Sequence, residues 1–436
     1  MNRLSLLCGF LLVALVLAAQ VTMAAEREAL TLRRPVGVSM QGLIWQGAGA
    51  PRQATAGDDS PAMSVNLSTV DTDLYTGYEN AIYAADELNV FVAYKRFLSD
   101  PSLGGYLPAE LRVAKSSDSG RTWTITVVDA DAIESGDSIE NSVSIDGDRG
   151  STIYVAYHVR SSGLFVDMKL KVAKSTDGGS TWTTQTVADG YTGDQNSIRV
   201  LSANAAVISA HANGPAEGIH AFITSDGGAR WSDTLVAGGL GNGFYTSVAA
   251  ADTRSIWVSF YNSLFPDHTD MNAGTRLSGG AWKTVVVEGM PSDSNLTGLA
   301  SSITVASNGT VFAAYEADTA SGNFVIAAST TDGTRWDLER VQRDDIIGWN
   351  TAIHESNGTL YLSYWRLPIG GKGLAMFAMS SDNGATWTPF TVPDSRFVQP
   401  YIDSTAPSNF MQFESYQTVD PFTFQQPILR VARIGG

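Results

Sequence analysis

The sequence predicts an all-β chain, a seven-bladed β-propeller of four-stranded blades, with six blades as the alternative. Three observations predict it. A tryptophan-ended motif returns on a near-regular beat: Trp123, Trp182, Trp231, Trp282, Trp336 and Trp387 stand 49 to 59 residues apart. Between them run short alternating stretches of β-branched and aromatic residues, broken by Gly, Asn and Asp, the pattern of strands joined by hairpins. No segment after the N-terminal apolar run carries sustained helical periodicity. Four strands in about 50 residues make one propeller blade.

The elements follow in chain order. Met1-Asn2-Arg3, an apolar run from Leu4 to Ala19, and Thr22-Met23-Ala24-Ala25 form a positive start, a short greasy core and a small-residue exit. That is the pattern of a secretory signal peptide over residues 1–24, too short for a spanning helix of about 20 apolar residues. The chain is therefore expected to be secreted or periplasmic, with no integral membrane segment after cleavage. Cys8 is the only cysteine and lies inside that run, so the mature chain has no disulfide and no thiolate metal site. Residues 25–78 are expected to hold a closing strand, either Ala29-Leu30-Thr31-Leu32 or Val36 to Ile44. Residues 46 to 75 read as a polar loop or cap.

The propeller itself is expected over residues 79–436. Second strands end at Val92-Ala93-Tyr94, Val155-Ala156-Tyr157, Ile208-Ser209-Ala210, Val258-Ser259-Phe260, Ala313-Ala314-Tyr315, Leu362-Ser363-Tyr364 and Met411-Gln412-Phe413. The seventh unit has a third strand, Ile428 to Ile434, and then the chain stops. Its fourth strand must come from the N-terminal side, so that N- and C-terminal strands pair and close the ring without an exposed edge.

Ser116-Ser117-Asp118-Ser119-Gly120-Arg121-Thr122-Trp123 returns as Ser175 to Trp182, Ser225 to Trp231, Thr331 to Trp336 and Ser380 to Trp387. A decayed copy, Leu277 to Trp282, has lost its Asp. The pattern Ser-x-Asp-x-Gly-x-Thr-Trp resembles the Asp box, or BNR repeat, of the sialidase superfamily, over roughly residues 79 to 436. Locally the Asp accepts backbone N–H groups in a tight turn, Gly supplies the unusual backbone angle, and Trp covers the turn. Asp118, Asp177, Asp226, Asp332 and Asp382 are therefore expected to be structural rather than catalytic.

The motif also fixes which end of the propeller can carry a site. In an antiparallel four-stranded blade, the first–second and third–fourth turns lie on one face of the disc. The aspartate turns are third–fourth turns. A central pocket on the opposite face must use residues that end second strands or lead into first strands. The first set is Lys95, His158, His211, Tyr261, Glu316, Trp365 and Glu414, with Arg96, Arg160 and Arg366 among their neighbours. The second is Glu79-Asn80, Glu140-Asn141, Gln195-Asn196, Tyr245-Thr246, Asn350-Thr351 and Pro400-Tyr401; its repeated Glu-Asn and Gln-Asn pairs also read as recurrent turn chemistry. Carboxylates, guanidiniums, imidazoles and aromatics in one ring suit a polyhydroxylated or acidic sugar.

The superfamily resemblance implies hydrolysis of terminal sialic acid by three arginines, a Tyr nucleophile assisted by Glu, and an Asp acid. Leu362-Ser363-Tyr364-Trp365-Arg366 resembles a strand carrying one arginine. Pro400-Tyr401-Ile402-Asp403 leading to Phe413-Glu414 resembles the segment of the nucleophile, Tyr401. Tyr94-Lys95-Arg96 with Asp100 resembles the segment of an arginine and the acid. The chain departs from the family where Arg-Ile-Pro should begin the first blade and Glu79-Asn80-Ala81-Ile82 stands instead. Sialidases also have six blades.

Three functions stay open. A glycoside hydrolase would take Tyr401, Glu414, Glu316 and Asp100 as catalytic groups and Arg96, Arg160, Arg366, His158, His211, Tyr261 and Trp365 as the substrate-binding set. In it, Glu316 and Glu414 could face each other across a sector. A lyase on uronates would use His158, His211 or Tyr261 as base with Arg160 as neutraliser. A non-catalytic propeller would read glycans or proteins with Trp365, Trp349 and Tyr245. The expected partner is a glycan or polysaccharide, and the expected state is a monomer without cofactor or metal. A net charge of -16, from 28 Lys+Arg against 44 Asp+Glu, argues against general nucleic-acid binding.

Overall fold

The computed structural model describes residues 64–100, 106–132, 134–135, 143–160, 168–190, 192–213, 217–239, 241–264, 268–289, 296–319, 322–344, 347–368, 371–393, 395, 398–408, 411–418 and 428–435. Every regular element among them is a strand. The signal peptide and the stretches at 29–32 and 36–44 lie outside the described residues.

Seven four-stranded antiparallel sheets form. Blade 1 comprises Thr76–Ala84, Val90–Phe97, Ala109–Ser116 and Thr124–Asp129. Blade 2 comprises Val143–Gly147, Ile153–Arg160, Met168–Ser175 and Thr183–Asp189. Blade 3 runs Thr192–Ser202, Ala205–Ala212, Gly218–Thr224 and Ser232–Gly238. Blade 4 runs Asn242–Asp252, Ser255–Leu264, His268–Arg276 and Lys283–Glu288. Blade 5 holds Leu296–Val305, Val311–Thr319, Gly322–Thr330 and Asp337–Asp344. Blade 6 holds Ile347–Ser356, Thr359–Arg366, Leu374–Ser380 and Thr388–Thr391. Blade 7 takes Val398–Ser408, Met411–Thr418 and Ile428–Gly435, and its outermost strand is Ser64–Asp71. First strands touch in chain order, and that of blade 7 returns to that of blade 1.

The strand that completes blade 7 corrects the sequence reading. Ser64–Asp71 pairs antiparallel with the last strand, Ser64 opposite Gly435 and Thr69 opposite Arg430. The residues involved, Ser64-Val65-Asn66-Leu67-Ser68-Thr69-Val70-Asp71, lie in the stretch read as a loop. An outermost strand is half exposed, so its polar alternation looks like loop composition. A buried ion cluster ties this strand to blade 1. Arg112 Nη1 lies 2.8 Å from both Asp71 and Asp73, and its Nη2 2.8 Å from Glu110.

Apolar side chains alternate along each second strand and pack between adjacent blades. Tyr94, Tyr157, Tyr315, Tyr364 and Tyr416 occupy one repeated position and are fully buried. Four hydroxyls donate to the outermost strand of the preceding blade: Tyr94 to Asp71 (2.7 Å), Tyr157 to Asp129 (2.6 Å), Tyr315 to Glu288 (2.8 Å) and Tyr364 to Gln342 (2.5 Å). Those four buried rings thereby keep their polar ends satisfied.

The innermost strand of each blade has one edge without a neighbouring strand, and its N–H groups need other partners. Side chains of the preceding blade supply them. Ser197 Oγ accepts from Val248 N (3.2 Å), Ser247 from Ile303 N (3.2 Å) and Ser302 from Ile353 N (3.0 Å). In blade 7 the same position is Asp403, which accepts from Ile82 N at 2.8 Å. Loss of water around the Asp403 carboxyl pushes it up to about 6.

The aspartate turns share one geometry. Asp118 Oδ1 accepts from Thr122 N (2.9 Å) and Arg121 N (3.1 Å), Thr122 Oγ1 donates to Oδ2 (2.7 Å), and Gly120 N donates to Ser116 Oγ (2.8 Å). Asp177 and Asp382 repeat the N–H and hydroxyl bonds with Thr181 and Thr386. The hydrogen bond from Thr122 leads in holding Asp118 at about 2, and that from Thr386 does the same for Asp382. These turns also bind neighbouring blades: Lys115 Nζ donates to Gly178 O (2.7 Å) and Lys174 Nζ to Gly227 O (2.8 Å).

Candidate functional site

At the end opposite the aspartate turns, the first strands of blades 1, 3, 4, 5 and 6 begin with a bulge. The register slips between Tyr78 and Ala81, Asp194 and Ser197, Phe244 and Ser247, Leu299 and Ser302, and Trp349 and Ala352. The residue inside each slip is left-handed: Glu79 (φ 53), Gln195 (48), Tyr245 (52), Ala300 (49) and Asn350 (49). Non-glycine residues rarely hold this conformation, and such strain gathers at functional sites. Part of it is offset locally, since Asn80 Nδ2 donates to Gly77 O (3.1 Å) and Asn196 Nδ2 to Gly193 O (3.2 Å). Gln195 Oε1 accepts from Tyr245 N, which links one bulge to the next.

The bulges meet the residues that follow the buried tyrosine position. Lys95, His158, His211 and Glu316 are all at most 2% exposed. Lys95 Nζ donates to the His158 carbonyl at 2.8 Å and lies 3.5 Å from Glu79 Oε2. A desolvated lysine with a carboxylate beside it is anchored in place.

In blade 7 the structure departs from the sequence reading. The second strand runs Met411–Thr418, so Tyr416 fills the tyrosine position and Gln417 the ring position; Gln417 Nε2 donates to Thr76 O at 2.8 Å. Glu414 sits deeper, where the other blades carry Val92, Val155, Ile208, Val258, Ala313 and Leu362. Met411-Gln412-Phe413 imitates the apolar ending of the other second strands, and this strand continues past it. Glu414 therefore lies between blades 6 and 7 and does not face Glu316 across a sector. It is fully buried, and Ser363 of blade 6 is the hydroxyl that faces its carboxyl. Burial raises it well above the ordinary carboxylate range.

The other expected residues divide. Trp365 is 4% exposed and its indole N–H donates to Val398 O at 2.8 Å, so the ring is packed in the blade 6–blade 7 core rather than presented to a ligand. Arg96 is held 3.5 Å from both Asp73 and Glu110, in the ion cluster of the blade 7–blade 1 seam. Asp100 follows the second strand of blade 1 and lies near the Tyr78 hydroxyl. Arg160 and Arg366 end the second strands of blades 2 and 6 and are half-buried. Tyr401 lies in the first strand of blade 7, and its side chain is outside the described set.

The arrangement with most chemical content spans blades 4 and 5. Tyr245 and Tyr261 stack with ring centroids 5.8 Å apart and planes inclined by 27°, both half-buried. Tyr261 packs against Gly298 of blade 5, where an added Cβ would come within 3.1 Å of the Tyr261 Cβ. On the neighbouring second strand stand Glu316 and Asp318, two residues apart and hence on one face. Glu316 is 2% exposed; its Oε1 is 3.5 Å from Asn323 Nδ2, and its Oε2 has no partner among the described residues. Burial first, and then the Asp318 charge, raise it well above the usual range. Asp318 is half-buried and is also raised, by desolvation. Two carboxyls in unequal environments are what acid–base chemistry at neutral pH requires. Asp318 escaped the sequence reading, although its two-residue spacing from Glu316 was a usable signal.

Two hollows of about 230 and 250 Å³ lie at the other end, between blades 5 and 6, lined by Asn383 with Phe312 and Leu338 or with Ser307 and Glu355. Among the described residues no group of three or more His, Cys, Asp or Glu could hold a metal ion. Among the described residues no helix is long and apolar enough to cross a membrane.

No family model and no curated protein matches the chain. Solved structures do. An ulvan lyase bound to GlcA(1-4)Rha3S superposes with a TM-score of 0.56 at 10% identity, covering 84% of this chain and 95% of that one. A protein of unknown function from Dyadobacter fermentans gives 0.51 at 13% identity, covering 85% and 99%. The phage phi92 endosialidase gives 0.50 at 11% identity, covering 86% and 69%. What the chain shares with these proteins is a fold, and in this chain that fold is a β-propeller of seven four-stranded blades.

Proposed function

We propose that the protein is an exported, carbohydrate-acting propeller that works at the end of the channel opposite its aspartate turns. Among the functions open to that end, glycoside hydrolysis by a buried acid accounts best for the groups present. One observation carries this reading: the buried Glu316 carboxyl, its Oε2 without a partner among the described residues, with half-buried Asp318 two residues on and the stacked Tyr245–Tyr261 pair on the preceding blade. Stacked tyrosines suit the C–H face of a sugar ring. A carboxyl kept protonated by its surroundings donates a proton to a leaving glycosidic oxygen, and in this reading Asp318, two residues on, is its partner carboxylate.

The tie of Arg96 to Asp73 and Glu110 argues against a three-arginine clamp that includes it, and so against sialic acid as the substrate. The test is a turnover screen on labelled sialosides, uronate polysaccharides and neutral glycans, with Glu316→Gln as control. Hydrolysis of one class, abolished by Glu316→Gln, supports the reading. Retained glycan binding without turnover of any class would leave a lectin. An unsaturated product from a uronate polymer would assign the lyase reaction, with His158, His211 and Tyr261 in consecutive blades as its base candidates.

A further inference from the structure

The hollow of about 230 Å³ between blades 5 and 6 occupies a place that the chain fills elsewhere with its own lysine. In blade 1, Lys115 stands opposite Phe91, with Nζ 5.8 Å from the ring centroid and donating to Gly178 O of the next aspartate turn at 2.7 Å. In blade 2, Lys174 stands opposite Tyr154, 5.0 Å from that ring, and donates to Gly227 O at 2.8 Å. Blade 5 repeats the same parts without the lysine. Phe312 is the ring, and Ser329 stands opposite it. Asn383 follows the aspartate of the blade 6 turn as Gly178 and Gly227 follow theirs, and all three are left-handed (φ 60, 68 and 76). Each turn lays its next glycine on the ring. An added Cβ would come within 2.8 Å of Phe91 at Gly179, 3.5 Å of Tyr154 at Gly228 and 3.0 Å of Phe312 at Gly384. Phe312, Ser329, Asn383 and Gly384 all line the hollow.

The charge reverses where the lysine is lost. Opposite the two lysines, on the outermost strands, lie the neutral Thr124 and Thr183. In blade 5, Asp337 lies opposite Ser329 and Glu339 opposite Ala327. Directly paired residues share a sheet face, and both acids line the hollow from its solvent side. A ring face attracts a cation, and a turn carbonyl and carboxylates accept from its N–H groups. These are the partners of an ammonium group, and its alkyl stem has the apolar Phe312 and Ala327 to lie along.

From the two internal lysines, the serine at the third such place and the two acids beside it, we infer that this hollow binds a primary ammonium group on an alkyl stem, the chemistry of a lysine side chain on another molecule. The site lies at the aspartate-turn end and stands or falls without the glycan reading. The test is ligand-observed NMR on the full chain, near neutral pH and at physiological salt. The probes are Nα-acetyl-lysine methylamide, its Nε-acetylated form, the norleucine analogue and a glucosamine oligomer. The lysine probe is expected to bind about tenfold or more tighter than either uncharged analogue. Ser329→Lys restores the arrangement of blades 1 and 2, so it is expected to abolish that binding while the thermal midpoint holds or rises. Asp337→Asn with Glu339→Gln keeps the shape, is expected to weaken binding about tenfold, and decides the matter if Ser329→Lys misfolds. Binding of the lysine probe that these variants leave unmoved is attraction to a chain of net charge -16 at large, and overturns the inference. Absence of lysine-probe binding, with or without binding of the glucosamine oligomer, overturns it too.

Discussion

At the aspartate-turn end, Asp118, Asp177 and Asp382 repeat one set of hydrogen bonds to a threonine N–H and hydroxyl four residues on. At the other end the repeat is in the backbone alone. The same left-handed bulge carries Glu79, Gln195, Tyr245, Ala300 and Asn350, and the next layer carries Lys95, His158, His211, Tyr261, Glu316, Trp365 and Gln417. Charges at the first end are exposed and locally satisfied. Those at the second are buried or half-buried, and Glu316 and Asp318 are shifted toward protonation. Side chains that repeat with the fold report on folding. Side chains that differ at one repeated backbone position report on what the molecule binds, since the scaffold does not dictate them.

The sharpest way to break this contrast is Glu316→Gln. It removes the proposed acid while keeping shape, so turnover of the cleaved glycan is expected to fall about 10²–10⁴-fold. Thermal unfolding is expected to move little or upward, because an amide replaces a buried carboxyl. Turnover within a factor of two of wild type would place the chemistry elsewhere.

The seam gives the next largest effect. Arg112→Ala leaves the buried Asp71 carboxylate without its cation, while Asp73 and Glu110 keep Arg96, and loss of one partner from a buried ion pair costs about 3–5 kcal/mol. Denaturant unfolding should show that loss. An unchanged midpoint would mean that the closing strand does not depend on this cluster.

Glu414 predicts a change of opposite sign. Its folded carboxyl is raised above the unfolded value, so its contribution is fully present below about pH 4 and is lost as pH rises through the folded value. Asp403, pushed up to about 6, acts in the same direction. Wild-type stability is therefore expected to decline from mildly acidic to neutral pH. Glu414→Gln is expected to flatten that decline and to raise the denaturation midpoint at neutral pH, because the amide stays neutral at every pH. A steeper decline in the variant would contradict the placement of Glu414.

Much of this was legible in the sequence. The beat from Trp123 to Trp387 implied a propeller, and its aspartates proved to be bound within their own turns. The failures have physical causes. Ser64–Asp71 was hidden because an outer strand exposes one face and looks like loop. Glu414 was misplaced because Met411-Gln412-Phe413 copies the ending of the other second strands, while Tyr416 holds the repeated position. Trp365 looked like a platform because the sequence does not show that Val398 O captures its indole N–H. Asp318 was missed because its neighbour Glu316 drew the reading to a single ring position.

The smallest expected effect comes from the turns. Asp118 is held at about 2 in the folded chain, so its contribution is present above the unfolded carboxylate range and is lost as pH falls toward 2. Asp118→Asn is expected to leave turnover unchanged and to lower the melting temperature only slightly, with a shallower fall in acid. A large loss of turnover would assign that end a role in the chemistry.

Hydrogen exchange read by mass spectrometry, with the tightest-binding oligosaccharide at saturation, tests most directly where the protein works. Protection is expected at the bulges and strand ends around 242–246, 261–264, 297–300 and 316–319, with the turns at 118–123, 177–182 and 382–387 unchanged. Protection confined to those turns would contradict the account.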